Sequence, residues 1–269
     1  MSERPADELF WLSGPVEEVA KVAPPRDGLE LLLPARVDLG ARKNLPAVLR
    51  RKATMRDDML APLPRFGVAV ALDLGTDEAF AGLARAPLEG EPTFREPAKK
   101  ALSEVAPMKT TQQLLVDLRA ALVLPWRAGE LLVFGAARTL RSEPMHVVLQ
   151  GGTSGEPQPA REREAAVTSR ETAKASPPLT AAVGIALKVD AKHHLLHGAY
   201  RLRSESFIHL VFCGRTYPRP SVFKLRAQGV EGHFTVDLSA LGLGSPQPYT
   251  VWAVSRDAVG GPAEVASIP

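Results

Sequence analysis

The feature that most constrains this chain is that it repeats itself. The segments Val133-Phe134-Gly135-Ala136-Ala137-Arg138 and Ser142-Glu143-Pro144-Met145-His146-Val147 align with Val251-Trp252-Ala253-Val254-Ser255-Arg256 and Gly260-Gly261-Pro262-Ala263-Glu264-Val265 at one offset of 118 residues. Upstream, Val116-Asp117-Leu118-Arg119-Ala120 is echoed by Val236-Asp237-Leu238-Ser239-Ala240, and Phe66-Gly67-Val68-Ala69-Val70 by Phe207-Ile208-His209-Leu210-Val211. Order is kept while the offset drifts, as loops of unequal length would cause. The expectation is two copies of one domain, at residues 26–150 and 178–269, each folding around its own core. Residues 1–25 are then an amino-terminal extension and 151–177 a linker.

Within each copy the apolar residues fall in short runs rich in Val, Leu and Phe, bounded by Gly, Pro, Asp or Ser, which predicts strands rather than helices. The first copy offers Leu29 to Leu33, Ala47 to Lys52, Gly67 to Leu74, Leu114 to Leu118, Leu131 to Ala137 and Met145 to Leu149. The second offers Val183 to Val189, Gly198 to Arg203, Phe207 to Cys213, Val222 to Arg226, His233 to Asp237, Tyr249 to Ser255 and Ala263 to Ser267. Strands at that spacing predict an all-β protein of tandem antiparallel β-sandwich domains. Two segments depart from the pattern. Asp7 to Val22 predicts a short amino-terminal helical segment. Asp77 to Val105, through Glu78-Ala79-Phe80-Ala81-Gly82-Leu83 and Pro97 to Val105, predicts a helical insertion in the first domain.

The run from Leu241-Gly242-Leu243 through Tyr249-Thr250-Val251-Trp252-Ala253-Val254 to the Gly260-Gly261-Pro262 turn resembles the closing hairpin of fibronectin type III and related immunoglobulin-like domains. Those domains often carry a Tyr on the penultimate strand behind a Leu-containing turn. The resemblance covers about 30 residues of the second copy, and the first copy has Leu131 where the second has Tyr249. It implies an immunoglobulin-like sandwich serving in binding, spacing or assembly, and the fold alone does not say which.

The chain has 269 residues, 45% of them hydrophobic, enough to build such cores. No apolar run reaches the roughly 18 residues of a membrane-spanning helix. The opening Met-Ser-Glu-Arg-Pro-Ala-Asp-Glu lacks the apolar region of a secretory leader, so the expectation is a cytoplasmic protein that begins here, with no membrane partner. The single Cys213 cannot form an intramolecular disulfide. Net charge is +3, but residues 1–150 carry 20 cations and 20 anions, and the excess lies in 179–269, nine against six. Arg and Ala usage of this kind also follows from GC-rich coding, so nucleic acid is not an expected partner.

The candidate chemistry is sparse. In His193-His194-Leu195-Leu196-His197 the first and last His would share a helix face at metal-ligand spacing. On a strand they would stand about 13 Å apart, too far for one ion, and no His-Glu-x-x-His register is present. Cys213 and His209 are separated in the same way along one strand. Asp57-Asp58 reads as a solvated acidic pair. No Gly-x-Ser-x-Gly, Walker A or Gly-x-Gly-x-x-Gly motif occurs in a fitting context. The sequence therefore predicts no catalytic residue, no metal site and no cofactor.

Partner binding has better candidates. Phe10, Trp11 and Leu12 bring large apolar side chains together in the amino-terminal extension, the composition of an interface hot spot. Sheet edges can accept a strand from a partner, and Val222 to Arg226 alternates Phe223 and Leu225 inward with Lys224 and Arg226 outward. The sequence thus predicts a non-catalytic module that binds a protein partner or forms a homo-oligomer. The alternatives are a carbohydrate site on the first sandwich, with Trp126 and Phe94 as stacking platforms beside the Asp77 to Val105 region, and an accessory subunit of an enzyme encoded nearby.

Overall fold

The computed structural model describes residues 27–41, 44–60, 62–84, 109–151, 163–164, 177–179, 181–215, 220–243 and 246–266. The amino-terminal helical segment, Pro97 to Val105, Phe94 and the Phe10-Trp11-Leu12 cluster lie outside them. The described residues fall into two compact units, one drawn from Met1–Ala71 and Gly82–Gln158, the other from Leu72–Ala81 and Pro159–Pro269.

The strands of the first copy are β1 (Gly28–Leu32), β2 (Arg36–Asp38), β3 (Pro46–Thr54), β4 (Gly67–Asp73), β5 (Glu78–Leu83), β6 (Lys109–Asp117), β7 (Gly129–Ala137), β8 (Leu140–Arg141) and β9 (Met145–Gln150). They form a three-stranded sheet, β1-β3-β6, and a second sheet, β2-β9-β7-β4-β5, with β8 paired to β7. The second copy has β10 (Arg163–Glu164), β11 (Gly184–Asp190), β12 (Leu195–Arg201), β13 (Phe207–Gly214), β14 (Pro220–Arg226), β15 (Glu231–Asp237), β16 (Tyr249–Val254) and β17 (Val259–Val265). Its sheets are β11-β12-β15 and β10-β14-β13-β16-β17.

Leaving out the short strands β2, β8 and β10, each copy has seven strands among the described residues. The first, second and fifth form one sheet, and the fourth, third, sixth and seventh form the other in that order. An immunoglobulin constant domain keeps its fourth strand with the first, second and fifth. Here that strand has crossed to the third. The architecture is therefore all-β and immunoglobulin-like. Short helices α1 (Met55–Leu60), α2 (Leu63–Phe66) and α3 (Leu118–Leu122) fill connections.

The two copies also agree in register. Val133 faces Met145 and Leu131 faces Val147 across β7 and β9, while Val251 faces Ala263 and Tyr249 faces Val265 across β16 and β17. These four pairs obey the 118-residue offset. Asp117 lies opposite Pro46, and Asp237 opposite Leu195. Each aspartate then caps the helical turn that follows, accepting a hydrogen bond from the backbone N–H of Arg119 and of Ser239. Asp117 also accepts from Leu45 N–H, at 3.0 Å. Both turns end in a left-handed residue, Val123 at φ 53° and Gly242 at φ 58°.

In the second unit the core joins Ile185, Leu196, Tyr200, Phe234 and Val236 of one sheet to Ile208, Leu210, Phe212, Phe223, Leu225 and Val251 of the other. Phe212 meets Phe223 and Tyr249 edge-on, with centroids 5.5 and 6.3 Å away. The Tyr249 hydroxyl donates to the Leu243 carbonyl at 3.1 Å, the tyrosine corner that ties the penultimate strand to the preceding turn. In the first copy Gly135 of β7 leaves room for Leu49 of β3 and sits near Leu31 of β1, so the two sheets face one another there as well.

One expectation is corrected. Glu78-Ala79-Phe80-Ala81-Gly82-Leu83 is strand β5, beside β4, and not part of a helical insertion. Helix propensity in Glu, Ala and Leu is worth only a few tenths of a kcal/mol per residue, and pairing with β4 outweighs it. Gly82 explains part of the choice, because a Cβ there would lie 2.0 Å from the Ala121 carbonyl oxygen. The turn before β5 belongs to the second unit. There Asp77, left-handed at φ 61°, accepts from Phe207 N–H and Arg256 Nε, each at 3.2 Å.

All seven residues of β4, all six of β16 and Leu131 to Ala137 of β7 are buried. A sandwich with one solvated face alternates apolar and polar residues, whereas strands covered on both faces read as continuous apolar runs. The runs Val68 to Leu72 and Leu131 to Phe134 are of that second kind.

Candidate interaction surface

The structure separates the residues that the sequence groups as candidate chemistry. The His cluster is divided between the turn of residues 191–194 and β12. His193 is exposed, its Nδ1 2.7 Å from the Asp190 carboxylate, and that hydrogen bond holds the Asp190 pKa below its ordinary value. His194 occupies the left-handed turn at φ 53°. His197 is buried, with Nδ1 3.0 Å from the Thr235 hydroxyl on β15. Burial pushes the His197 pKa down, against the opposing pull of the Asp190 charge. Among the described residues no group of three His, Cys, Asp or Glu could hold a metal ion.

Cys213 and His209 both lie on the face of β13 opposite Ile208, Leu210 and Phe212, and both are buried. Burial pushes the Cys213 thiol up to about 12, which suppresses the thiolate that a nucleophile needs. Asp57 accepts a hydrogen bond from the Thr54 hydroxyl at 2.6 Å at the start of α1. Trp126 is half-buried, and the Arg119 guanidinium stands 4.7 Å from its ring centroid. That contact takes up a ring face that a sugar would need.

The edges of the larger sheets are where the fold itself recruits extended chain. In the first copy β2 joins β9 in parallel, with Arg36, Val37 and Asp38 opposite Val148, Leu149 and Gln150. In the second, β10 joins β14 in parallel, with Arg163 opposite Phe223 and Glu164 opposite Lys224. The rest of β14 is held by β13, from Phe207 opposite Arg226 to Cys213 opposite Pro220. Phe223 and Leu225 are buried, Lys224 is half-buried and Arg226 is exposed, so the alternation read from the sequence describes this strand. The Lys224 ammonium lies 4.1 Å from the Phe207 ring centroid and donates to the Asp77 carbonyl at 3.0 Å. It therefore has a structural role.

Sequence reasoning missed β10. Arg163 and Glu164 sit in a charged Arg-Glu-Arg-Glu run within the expected linker, with no β-branched or aromatic residue to signal a strand. Pairing through the backbone asks nothing of side chains, so no compositional signal marks it.

No protein-family model matches this sequence. No curated protein is significantly similar to it. Solved structures align to it at low similarity. A two-domain fibronectin type III segment of chicken tenascin is 14% identical, covers 90% of this chain and 95% of that one, and gives a TM-score of 0.20. The human OSCAR ligand-binding domain is 12% identical over 90% of this chain and 100% of that one, with a TM-score of 0.17. An adhesin from Mobiluncus mulieris is 13% identical over 84% and 79%, with a TM-score of 0.16. Among the described residues no helix is long and apolar enough to cross a membrane.

Proposed function

We propose that this chain is a non-catalytic binding or assembly module made of two repeated immunoglobulin-like domains, with a protein partner or a second copy of itself as its ligand. The observation that carries this reading is the recruitment of β2 and β10 to sheet edges by backbone pairing. Strand addition of this kind is a recurring mode of peptide recognition, with main-chain hydrogen bonds supplying affinity. Phe10, Trp11 and Leu12 are the second contact element in this reading, since large aromatic side chains dominate interface energetics.

The test compares the purified full chain with a version lacking residues 1–25. Molar mass is measured by light scattering, and any co-purifying protein is identified and then titrated directly. Self-association, or direct binding of an identified partner that weakens at least tenfold on truncation or on Phe10→Ala with Trp11→Ala, is the expected outcome. A monomer that binds nothing in either form overturns the proposal.

A further inference from the structure

We propose that the outer edge of β14 is an acceptor for an extended peptide carrying acidic residues two positions apart, and that Arg163–Glu164 occupies it in cis until such a peptide replaces it. This rests on the reading above and names its surface. Alternate residues of an added strand stand on the same side of it, opposite alternate residues of the acceptor. The resident register sets Glu164 against Lys224, a cation at the edge. Two positions further along β14 is Arg226, which is exposed. A parallel ligand with carboxylates at both positions would face both cations. In this chain's own sequence Glu164 is followed two residues later by an alanine, at position 166.

The cis strand is short, two residues against the seven of Pro220–Arg226. Its advantage is that it is tethered to its acceptor, which raises its effective concentration. A ligand pairing along more of β14 gains hydrogen bonds beyond those of the two described resident positions. Charge at the edge then acts as the selector, admitting acidic segments and repelling basic ones.

The probe is a fluorescent peptide of residues 159–168 with glutamate in place of Ala166, titrated by anisotropy against three forms of the full chain. In the first form Arg163→Pro and Glu164→Pro remove the resident strand's N–H groups. The second is unaltered, and the third adds Arg226→Glu to the proline form. The expected result is binding to the proline form about tenfold or more tighter than to the unaltered chain, because cis competition is gone. Arg226→Glu should weaken it again. A peptide N-methylated at Arg163 and another at Glu164 separate backbone pairing from charge attraction. Neighbouring N–H groups of a strand point to opposite sides, so one of the two modified peptides should lose binding and the other keep it. Equal binding to the proline and unaltered forms, no binding to the proline form, or no difference between the N-methylated peptides overturns the inference. If the full chain engages a partner through residues 1–25 while these titrations fail, the edge assignment falls and the module reading survives. Light scattering of the proline form reports whether a second copy takes the vacated edge, which would also overturn the assignment to an acidic peptide.

Discussion

The two copies build the same pair of sheets but fill one position of the core in opposite ways. On the second strand of the first copy Leu49 is buried against β7, where Gly135 leaves the space it needs; a Cβ on Gly135 would stand 2.3 Å from Leu49 Cδ1. The matching position of the second copy is Gly198, which lies opposite Phe234 just as Leu49 lies opposite Leu114. The Phe234 ring occupies the volume a side chain would take, 2.0 Å from where the Gly198 Cβ would be. Cores tolerate large exchanges of side-chain size when total volume is conserved and resist single changes that break the balance. The strand order is therefore held by pairing and pattern, while the detailed fill has diverged between the copies.

The sharpest way to break that comparison is Gly198→Ala. Three ring atoms of the buried Phe234 would lie within 2.6 Å of the new methyl group, and the expected loss is roughly 3 kcal/mol of stability in the second unit. Gly135→Ala should cost about 1 kcal/mol in the first unit, because its nearest neighbour is the end of a flexible leucine. Combining Gly198→Ala with Phe234→Leu should recover at least half of the loss. Hydrogen exchange on the full chain, read peptide by peptide, assigns each effect to its unit. Equal costs at Gly198 and Gly135 would contradict the divergent fill.

Tyr249 is the next difference. Tyr249→Phe removes the hydroxyl that serves the Leu243 carbonyl, at an expected cost of roughly 1–2 kcal/mol. The reverse exchange in the first copy, Leu131→Tyr, should gain nothing from a corner bond. The residue six before it is Pro125, whose carbonyl already accepts from Arg127 N–H at 3.1 Å. A stabilising Leu131→Tyr, seen as a raised denaturant midpoint, would contradict that account.

The left-handed caps differ by about 1 kcal/mol in the opposite sense. Val123 is β-branched and 61% exposed, so it bears the steric penalty of its φ with no burial in return. Gly242 adopts the same conformation without that penalty. Val123→Gly should therefore stabilise the first unit by about 1 kcal/mol, and Gly242→Val should destabilise the second by a similar amount. Denaturant unfolding of the two variants checks both signs.

How much of this was legible in the sequence follows from what each feature asks of side chains. The strands could be read because burial on both faces writes long apolar runs such as Leu131 to Phe134. The matched registers could be read because Asp117 and Asp237 recur at the same place in the repeat, as do Val133 and Val251. Tyr249 and its Leu-containing turn also stood out. Strand β5 was illegible because Glu, Ala and Leu favour helix locally and the deciding contact, Gly82 against Ala121, is tertiary. Strand β10 was illegible because backbone pairing leaves no compositional trace. At the candidate site the inward and outward pattern of β14 was readable, and the chain segment that lies on it was not.

The finest difference shows only in acid. Second-strand position 197 is His, paired with Thr235, where the first copy has Val48 opposite Leu115. Burial lowers the His197 pKa from its usual 6.5. The unfolded chain therefore takes up its proton near pH 6.5, while the folded chain resists until a lower pH. Unfolded molecules then bind more protons than folded ones, and stability falls as the pH drops below about 6.5, whereas above that value this residue contributes no pH dependence. His197→Val should flatten that acid decline in the second unit, leaving the first unit's profile unchanged. Hydrogen exchange at matched exchange times between pH 5 and 7.5, corrected for intrinsic rates, measures both units in one sample. An unaltered decline in the variant would place the acid sensitivity on another group and remove His197 from the list of real differences between the copies.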